Sequence, residues 1–211
     1  MRSAPWLSVI MPTYQGERFL RLALDSVVEQ IADDVELIAV DDGSTDGTLA
    51  ILDDFAGRIH LNVIRQSHVG NWVENTNTGF AQATGNYLCM LHQDDLWLPG
   101  RIATMRRLSS EFPEAALLLS SSLYIDDAGK RLGPWCPPLQ QTDTPIPSQE
   151  MLRHLIVQNF VALPSPIFKR EHYERTDAMD SHLWFLADWK LWGELSAIGP
   201  VVYHPKALTA F

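Results

Sequence analysis

"VELIAVDDGSTDGT", residues 35–48, decides the fold. Val35 to Val40 form a mostly apolar run of strand length. Two acids, Asp41 and Asp42, end it, a turn follows, and Asp46 stands as a plausible N-cap for a helix over "DGTLAILDDFA" (46–56). The pattern recurs. "NYLCML" (86–91) is a second apolar run, and "HQDD" (92–95) puts Asp94 and Asp95 just beyond it. In open parallel sheets, ligands bind beyond the carboxyl ends of strands, where the connections reverse direction. Carboxylates converging there repel one another unless a cation lies between them. Hard oxygen donors suit magnesium or manganese, which bridge to phosphate oxygens.

The rest of the first half has the same rhythm. "LSVIM" (7–11) and "IHLNVIR" (59–65) read as strands. "RFLRLALDSVVEQ" (18–30) carries Leu20, Leu24, Val27 and Val28 at helical spacing, and "NWVENTNTGFAQAT" (71–84) reads as a helix ended by Gly85. Pro99 would start a helix over "GRIATMRRLSSEF" (100–112). This βαβαβαβα order predicts an α/β fold, a mostly parallel central sheet flanked by helices.

The second half is less regular. "AALLLSSSLYI" (115–125) reads as a strand and "DDAGKR" (126–131) as a turn or hairpin. "LGPWCPPLQQTDTPIPSQ" (132–149), rich in proline and polar residues, reads as a surface loop. "SQEMLRHLIV" is a helix, "PSPIFKREHYER" a strand and short helix, "ADWKLWGELSAIG" a helix capped by Gly199, and "VVYHP" a last strand. One domain over residues 1–211 is expected: a nucleotide-binding half to about residue 100, and an acceptor-side half from about 101.

Composition excludes several classes. The 211 residues carry a formal net charge of -10, which argues against broad attraction to nucleic acid or anionic lipid. The two cysteines indicate neither a disulfide framework nor a thiolate metal site. "MRSAPWLSVIMPTYQ" is too short in apolar length for a signal peptide, and no run approaches a membrane span. The expected setting is the cytoplasm, with peripheral contact at the inner face of the membrane as an alternative. No G-x-G-x-x-G follows the first strand, and no P-loop signature is present. A haloacid-type phosphatase would need Asp where the first strand ends in "PTYQ".

Four stretches, "SVIMPTYQGERFLRLALDSVVEQ", "ELIAVDDGSTDGT", "NTGFAQATGNYLCMLHQDDLWLPGRI" and "FLADWKLWGEL", together resemble family 2 glycosyltransferases of the GT-A nucleotide-sugar fold. The resemblance implies an inverting transferase that moves a sugar from a nucleoside-diphosphate donor, UDP-linked in the expectation. The acceptor would be a carbohydrate or lipid-linked hydroxyl in polysaccharide or glycolipid synthesis. It implies that Pro12, Thr13 and Tyr14 line the base pocket, with Tyr14 against the base, and that Asp42 accepts a hydrogen bond from the base. Asp94 and Asp95 would hold the ribose and a divalent cation, Mn2+ or Mg2+. Asn77 falls in the donor-binding block, and Asp188 would be the general base.

This chain departs from the family pattern at three places. His92 stands where an Asp is frequent, residues 75–79 read N-T-N-T-G for A-R-N-x-G, and Ala187 replaces Glu. His92 reads as a metal ligand or as a packed side chain, and Trp97 as core or as a donor-sugar contact. His204 is a remote ligand candidate, and Trp135 and Cys136 belong to a lid or to packing. The rival reading is a nucleotide-sugar-binding module without turnover, or one part of a larger synthase. A nucleotidyltransferase would show a basic glycine-rich loop, which "PTYQGERF" is not.

Overall fold

The computed structural model describes residues 4–30 and 33–211; residues 1–3 of the N-terminal stretch lie outside the described residues. Strand and helix alternate through β1 (Leu7–Thr13), α1 (Leu20–Val28), β2 (Val35–Asp41), α2 (Thr48–Phe55), β3 (His60–Arg65), α3 (Trp72–Gln82) and β4 (Tyr87–Met90). Then come β5 (Leu96–Trp97), α4 (Arg101–Glu111), β6 (Leu117–Ile125), β7 (Arg131–Trp135), β8 (Pro145–Ile146) and α5 (Ser148–Val157). The chain closes with β9 (Ile167–Lys169), α6 (Arg170–Tyr173), a 3-10 turn at Ser181–Leu183, α7 (Ala187–Ile198) and β10 (Val201–Ala210).

One mixed sheet takes in all the strands, in the order β3-β2-β1-β4-β9-β6-β10-β5, with β7 added to β6 and β8 to β10. Its longest ladders are parallel: β1 with β2, β2 with β3, and β6 with β10. The chain moves outward from β1 to β3 and returns to β4 on the other side of β1. That reversal opens a crevice at the carboxyl ends of β1, β2 and β4.

Two-residue alternation divides the core. Leu7, Val9 and Met11 of β1 face one cluster with Leu20, Leu24 and Leu52, while Ile10, Ile38 and Met90 join Val73, Leu191 and Trp192 on the other face. Helices α1, α2 and α4 therefore cover one side and α3, α5 and α7 the other. In α3 a Cβ on Gly79 would fall 2.4 Å from Ile10 Cγ2, so only glycine lets this helix lie so close to β1.

Several expectations change. The stretch 132–149 is not all loop: β7 pairs with β6 and β8 with β10. Gly199 does take the C-cap position of α7, but in extended backbone, with φ -167°. A Cβ there would lie 3.1 Å from Glu114 O, so close approach is its constraint. Asp46 sits one residue ahead of the cap position, Gly47, and Asp46 Oδ1 still accepts from Thr48 N at 3.0 Å. Trp97 is core, with the Arg101 guanidinium 5.4 Å from its ring centroid.

Candidate active site

The crevice holds a cavity of about 400 Å³ whose walls include Pro12, Thr13, Tyr14, Asp42, Asn75 and Asp94. Five of the eight expected site residues meet there. β1 supplies Pro12 and Thr13, and Tyr14 follows as the chain leaves the strand. A side-chain amide holds that exit: Tyr14 N donates to Gln93 Oε1 at 2.9 Å, and Gln93 Nε2 donates to Tyr14 O at 3.0 Å.

The first acid pair is satisfied within the chain. Asp41 Oδ1 accepts from Thr13 Oγ1 at 3.1 Å and Ser44 Oγ at 2.6 Å, and its Oδ2 accepts from Ser44 N at 2.9 Å. Asp41 thus closes the turn after β2. Asp42 accepts from Val69 N at 2.7 Å and Gly70 N at 2.9 Å, and His68 Nδ1 lies 2.9 Å from its Oδ2. Burial pushes this carboxyl up, but the backbone N–H groups of Val69 and Gly70 and the amides of Asn75 and Gln66 outweigh it and hold it below its ordinary value. The His68 ring also stacks on Tyr14, with centroids 4.3 Å apart and planes at 19°. Tyr14 and Asp42, the two groups expected to meet a base, therefore meet an imidazole.

The second acid pair is not satisfied. Asp94 is exposed and Asp95 buried. Asp95 Oδ2 accepts from His92 N at 3.3 Å. Burial, and then the charge of Asp94, push the Asp95 carboxyl well above its ordinary value. Burial also pushes the His92 imidazole down to about 4, against the pull of Asp94, so the ring is neutral near pH 7. His92 Nε2 is buried without a hydrogen-bond partner. One donor atom from each of His92, Asp94 and Asp95 lies within 4.8 Å of the others. A neutral imidazole nitrogen and two carboxylates, poorly bonded otherwise, are a donor set that a divalent cation fits.

Asp188 stands in the first turn of α7, buried, accepting from Asn159 Nδ2 at 3.0 Å and Trp189 N at 2.7 Å. Burial raises its carboxyl above the ordinary value, and those donors only moderate the rise. The positive end of a helix favours an ionised carboxylate, but here desolvation wins. Asp188 lines a second cavity, of about 510 Å³, with Trp72, Leu163 and Trp184. Trp72 and Trp184 also line the cavity at the carboxyl end of β1. A third cavity, again about 510 Å³, shares His92 and Asp94 with that one and Leu163 with the cavity of Asp188. The three cavities are thus neighbours with shared walls, and Asp94 lines two of them.

Asn77 is not in these walls. Its Nδ2 donates to Met179 O at 2.7 Å, and Tyr173 Oη donates to its Oδ1 at 3.3 Å. It ties α3 to the segment before α7, and Asn75, two positions earlier on the inward face, lines the cavity instead. His204 is also elsewhere, with Nδ1 2.6 Å from Asp143 Oδ1. Trp135 donates through Nε1 to Phe160 O at 2.8 Å and walls the third cavity. Sequence reasoning missed Gln66, His68 and Gly70. Their place just past a parallel strand, β3, was the available signal. Nothing in the sequence marks Asn159, which arrives from the loop after α5. No helix among the described residues is long and apolar enough to cross a membrane.

A family model described as Glycosyl transferase family 2 matches residues 8–156. The chain is 28% identical over 191 residues to the uncharacterized glycosyltransferase EpsJ of Bacillus subtilis, an overlap of 87% of this chain and 54% of that protein. It is 30% identical over 208 residues to the O-antigen biosynthesis protein RfbC of Myxococcus xanthus, an overlap of 96% and 16%. Against S. aureus TarS 1-349 in complex with UDP-GlcNAc the TM-score is 0.77 at 21% identity, covering 97% of this chain and 58% of that one. Against the mannosyltransferase PcManGT from Pyrobaculum calidifontis, in complex with GDP-Man and Mn2+, it is 0.71 at 19%, covering 99% and 57%. At such identities the structural likeness shows the fold. The chain spans about half the length of EpsJ and less of RfbC.

Proposed function

Since the chain belongs to glycosyl transferase family 2, we propose that it moves a sugar from a nucleoside-diphosphate donor to an acceptor hydroxyl with inversion. One observation carries this reading: the cavity of Tyr14 and Asp42, the cavity of the acid pair and the cavity of Asp188 adjoin one another through shared walls. Residues up to about 100 would hold the nucleotide, and those beyond would receive the acceptor. The TarS structure in complex with UDP supports UDP as the nucleotide. The relative named for O-antigen biosynthesis supports polysaccharide assembly.

Each role follows from placement. Tyr14 offers a ring face to the base, and Pro12, Thr13 and Asn75 shape the wall around it. Asp94 and Asp95, joined by His92, would hold a divalent cation. The carboxylates suit Mg2+ or Mn2+, and the imidazole moves the preference toward Mn2+. When bound, the cation would neutralise charge growing on the departing diphosphate. Asp188 takes the proton of the attacking hydroxyl. Its raised pKa makes it a better base than a solvated Asp while leaving Asn159 to orient it. A single displacement from the face opposite the leaving group inverts the anomeric carbon, as in inverting hydrolases. The retained Asp188 within the cleft favours turnover over a module that only binds.

The test is calorimetric titration with UDP, first with Mn2+ and then with a chelator. Tighter binding with Mn2+ is expected. Equal binding would remove the cation from the reading, and no binding in either condition would overturn the donor assignment.

A further inference from the structure

The loop that carries the second acid pair also grips the base platform. Gln93 lies between His92 and Asp94, and its amide meets both backbone groups of Tyr14. Its Oε1 accepts from Tyr14 N at 2.9 Å, and its Nε2 donates to Tyr14 O at 3.0 Å. Those two backbone groups find no other hydrogen-bond partner among the described residues. Tyr14 has just left β1, and its ring, 42% exposed, rests on the stack with His68. A glycine makes room for the grip. A Cβ on Gly16 would overlap Gln93 Oε1 and lie 2.8 Å from Gln93 Cδ, so a side chain at residue 16 would push the amide away. Gly16 N donates to Thr48 Oγ1 at 2.7 Å, which fixes the backbone on that side.

The other end of the grip is loosely held. His92 and Asp94 flank Gln93 and Asp95 follows. His92 Nε2 has no hydrogen-bond partner, and Asp95 accepts one long bond, from His92 N at 3.3 Å. One donor atom from each of His92, Asp94 and Asp95 lies within 4.8 Å of the others. A cation held by these three would tie the residues on both sides of Gln93, and so fix where its amide points. Freedom removed by the first ligand need not be removed again by the second, so a base would then meet a Tyr14 already set.

We propose that Gln93 is a positioning residue that couples the cation site to the base pocket: a divalent cation on His92, Asp94 and Asp95 sets Tyr14 for the base, and a bound base in turn tightens the cation. This rests on the transferase reading of the site. The probe is dideoxyuridine, which has no phosphate for the cation and neither secondary ribose hydroxyl for Asp94. Any effect between it and Mn2+ must therefore pass through the protein. Mn2+ is titrated with and without the nucleoside, and the free ion is read by electron paramagnetic resonance. In the parent the nucleoside should tighten Mn2+ about fivefold, the lower end of ordinary coupling between two sites, and by reciprocity Mn2+ should tighten the nucleoside equally. Gln93→Met keeps the length of the side chain without either bond. There Mn2+ alone should bind as in the parent, and the gain should vanish. Gly16→Ala displaces the amide without changing the acid loop, and should abolish the gain in the same way. It decides the matter if Gln93→Met fails to fold or to bind Mn2+. A parent without coupling, or coupling that survives in either folded variant, overturns the proposal. UDP titrated with Mn2+ in the same samples separates the two readings. If UDP binds and the nucleoside leaves Mn2+ affinity unchanged, only the coupling falls; if UDP does not bind, the donor assignment falls with it.

Discussion

Asp41–Asp42 and Asp94–Asp95 look alike in sequence, each pair ending an apolar run. In the structure they are opposites. The first pair is the most heavily bonded acid site in the cleft: Asp41 binds its own turn, and Asp42 collects N–H groups from the loop after β3. The second pair lacks such donors, and the buried Asp95 accepts from His92 N alone, at 3.3 Å, among the described residues. A carboxylate surrounded by donors builds the pocket. One left short of them keeps its valence for something that arrives from outside. The chemistry of a strand-end acid is set by the neighbouring loops more than by the strand that carries it.

Asp188 gives the largest test of that contrast, because it lies between the extremes: buried like Asp95, yet oriented by Asn159. If its remaining basicity is used, Asp188→Asn should lower transfer roughly 10²–10⁴-fold. UDP affinity should stay within a few-fold. The raised carboxyl adds a pH signature. The base works only when ionised, so transfer should fall as pH drops through a pKa above the ordinary 3.8. The measurement is UDP release across pH, beside a UDP titration of the variant. Turnover surviving within a few-fold would assign Asp188 to the bonded, structural class.

Next in size is a stability experiment on the two pairs without added metal. Asp42→Ala leaves the N–H groups of Val69 and Gly70 without their acceptor and should cost about 1–3 kcal/mol. At this length that lowers Tm by about 2–4 °C per kcal/mol. Asp95→Ala removes a buried carboxylate with one long hydrogen bond, so stability should hold or rise, within about 1 kcal/mol. Denaturant unfolding of both variants decides. Equal losses would mean that the two pairs differ less than their hydrogen bonds suggest.

Much of this layout was legible from residues alone. β1 to β4 and the first three helices followed from periodicity, because each buries its own apolar face. β5 and β8 did not, since each is two residues long and owes its strand character to pairing with β10. β7 hid behind Gly133 and Pro134, which an edge strand tolerates. In the site, both acid pairs could be seen, but not the division of labour between them. The donors that silence Asp42 come from residues 66–70, about 25 positions away. Asn77 lies outside the cavity for a related reason: on a helix, two positions turn a side chain from the cavity to its flank.

The smallest expected effect sharpens the bonded side of the comparison. His68 stacks on Tyr14, and its Nδ1 bonds Asp42 O at 3.1 Å while lying 2.9 Å from Asp42 Oδ2, so it occupies the two places expected of a nucleobase. Asp42 already accepts from Val69 N and Gly70 N, so a base N–H competes with His68 for what remains. A base entering that place must displace the imidazole, losing one stack and one hydrogen bond that the free protein keeps. His68→Ala removes the competitor without touching the N–H groups that hold Asp42. UDP should then bind more tightly, by a few-fold and at most about tenfold, since a net hydrogen bond is worth about 1 kcal/mol. The gain should be absent in Tyr14→Ala/His68→Ala relative to Tyr14→Ala, because without the ring neither imidazole nor base has a platform. Calorimetry on the four proteins reads this directly. Weaker binding by His68→Ala would make His68 a contact of the bound base, and Asp42 a residue the nucleotide reaches only through it.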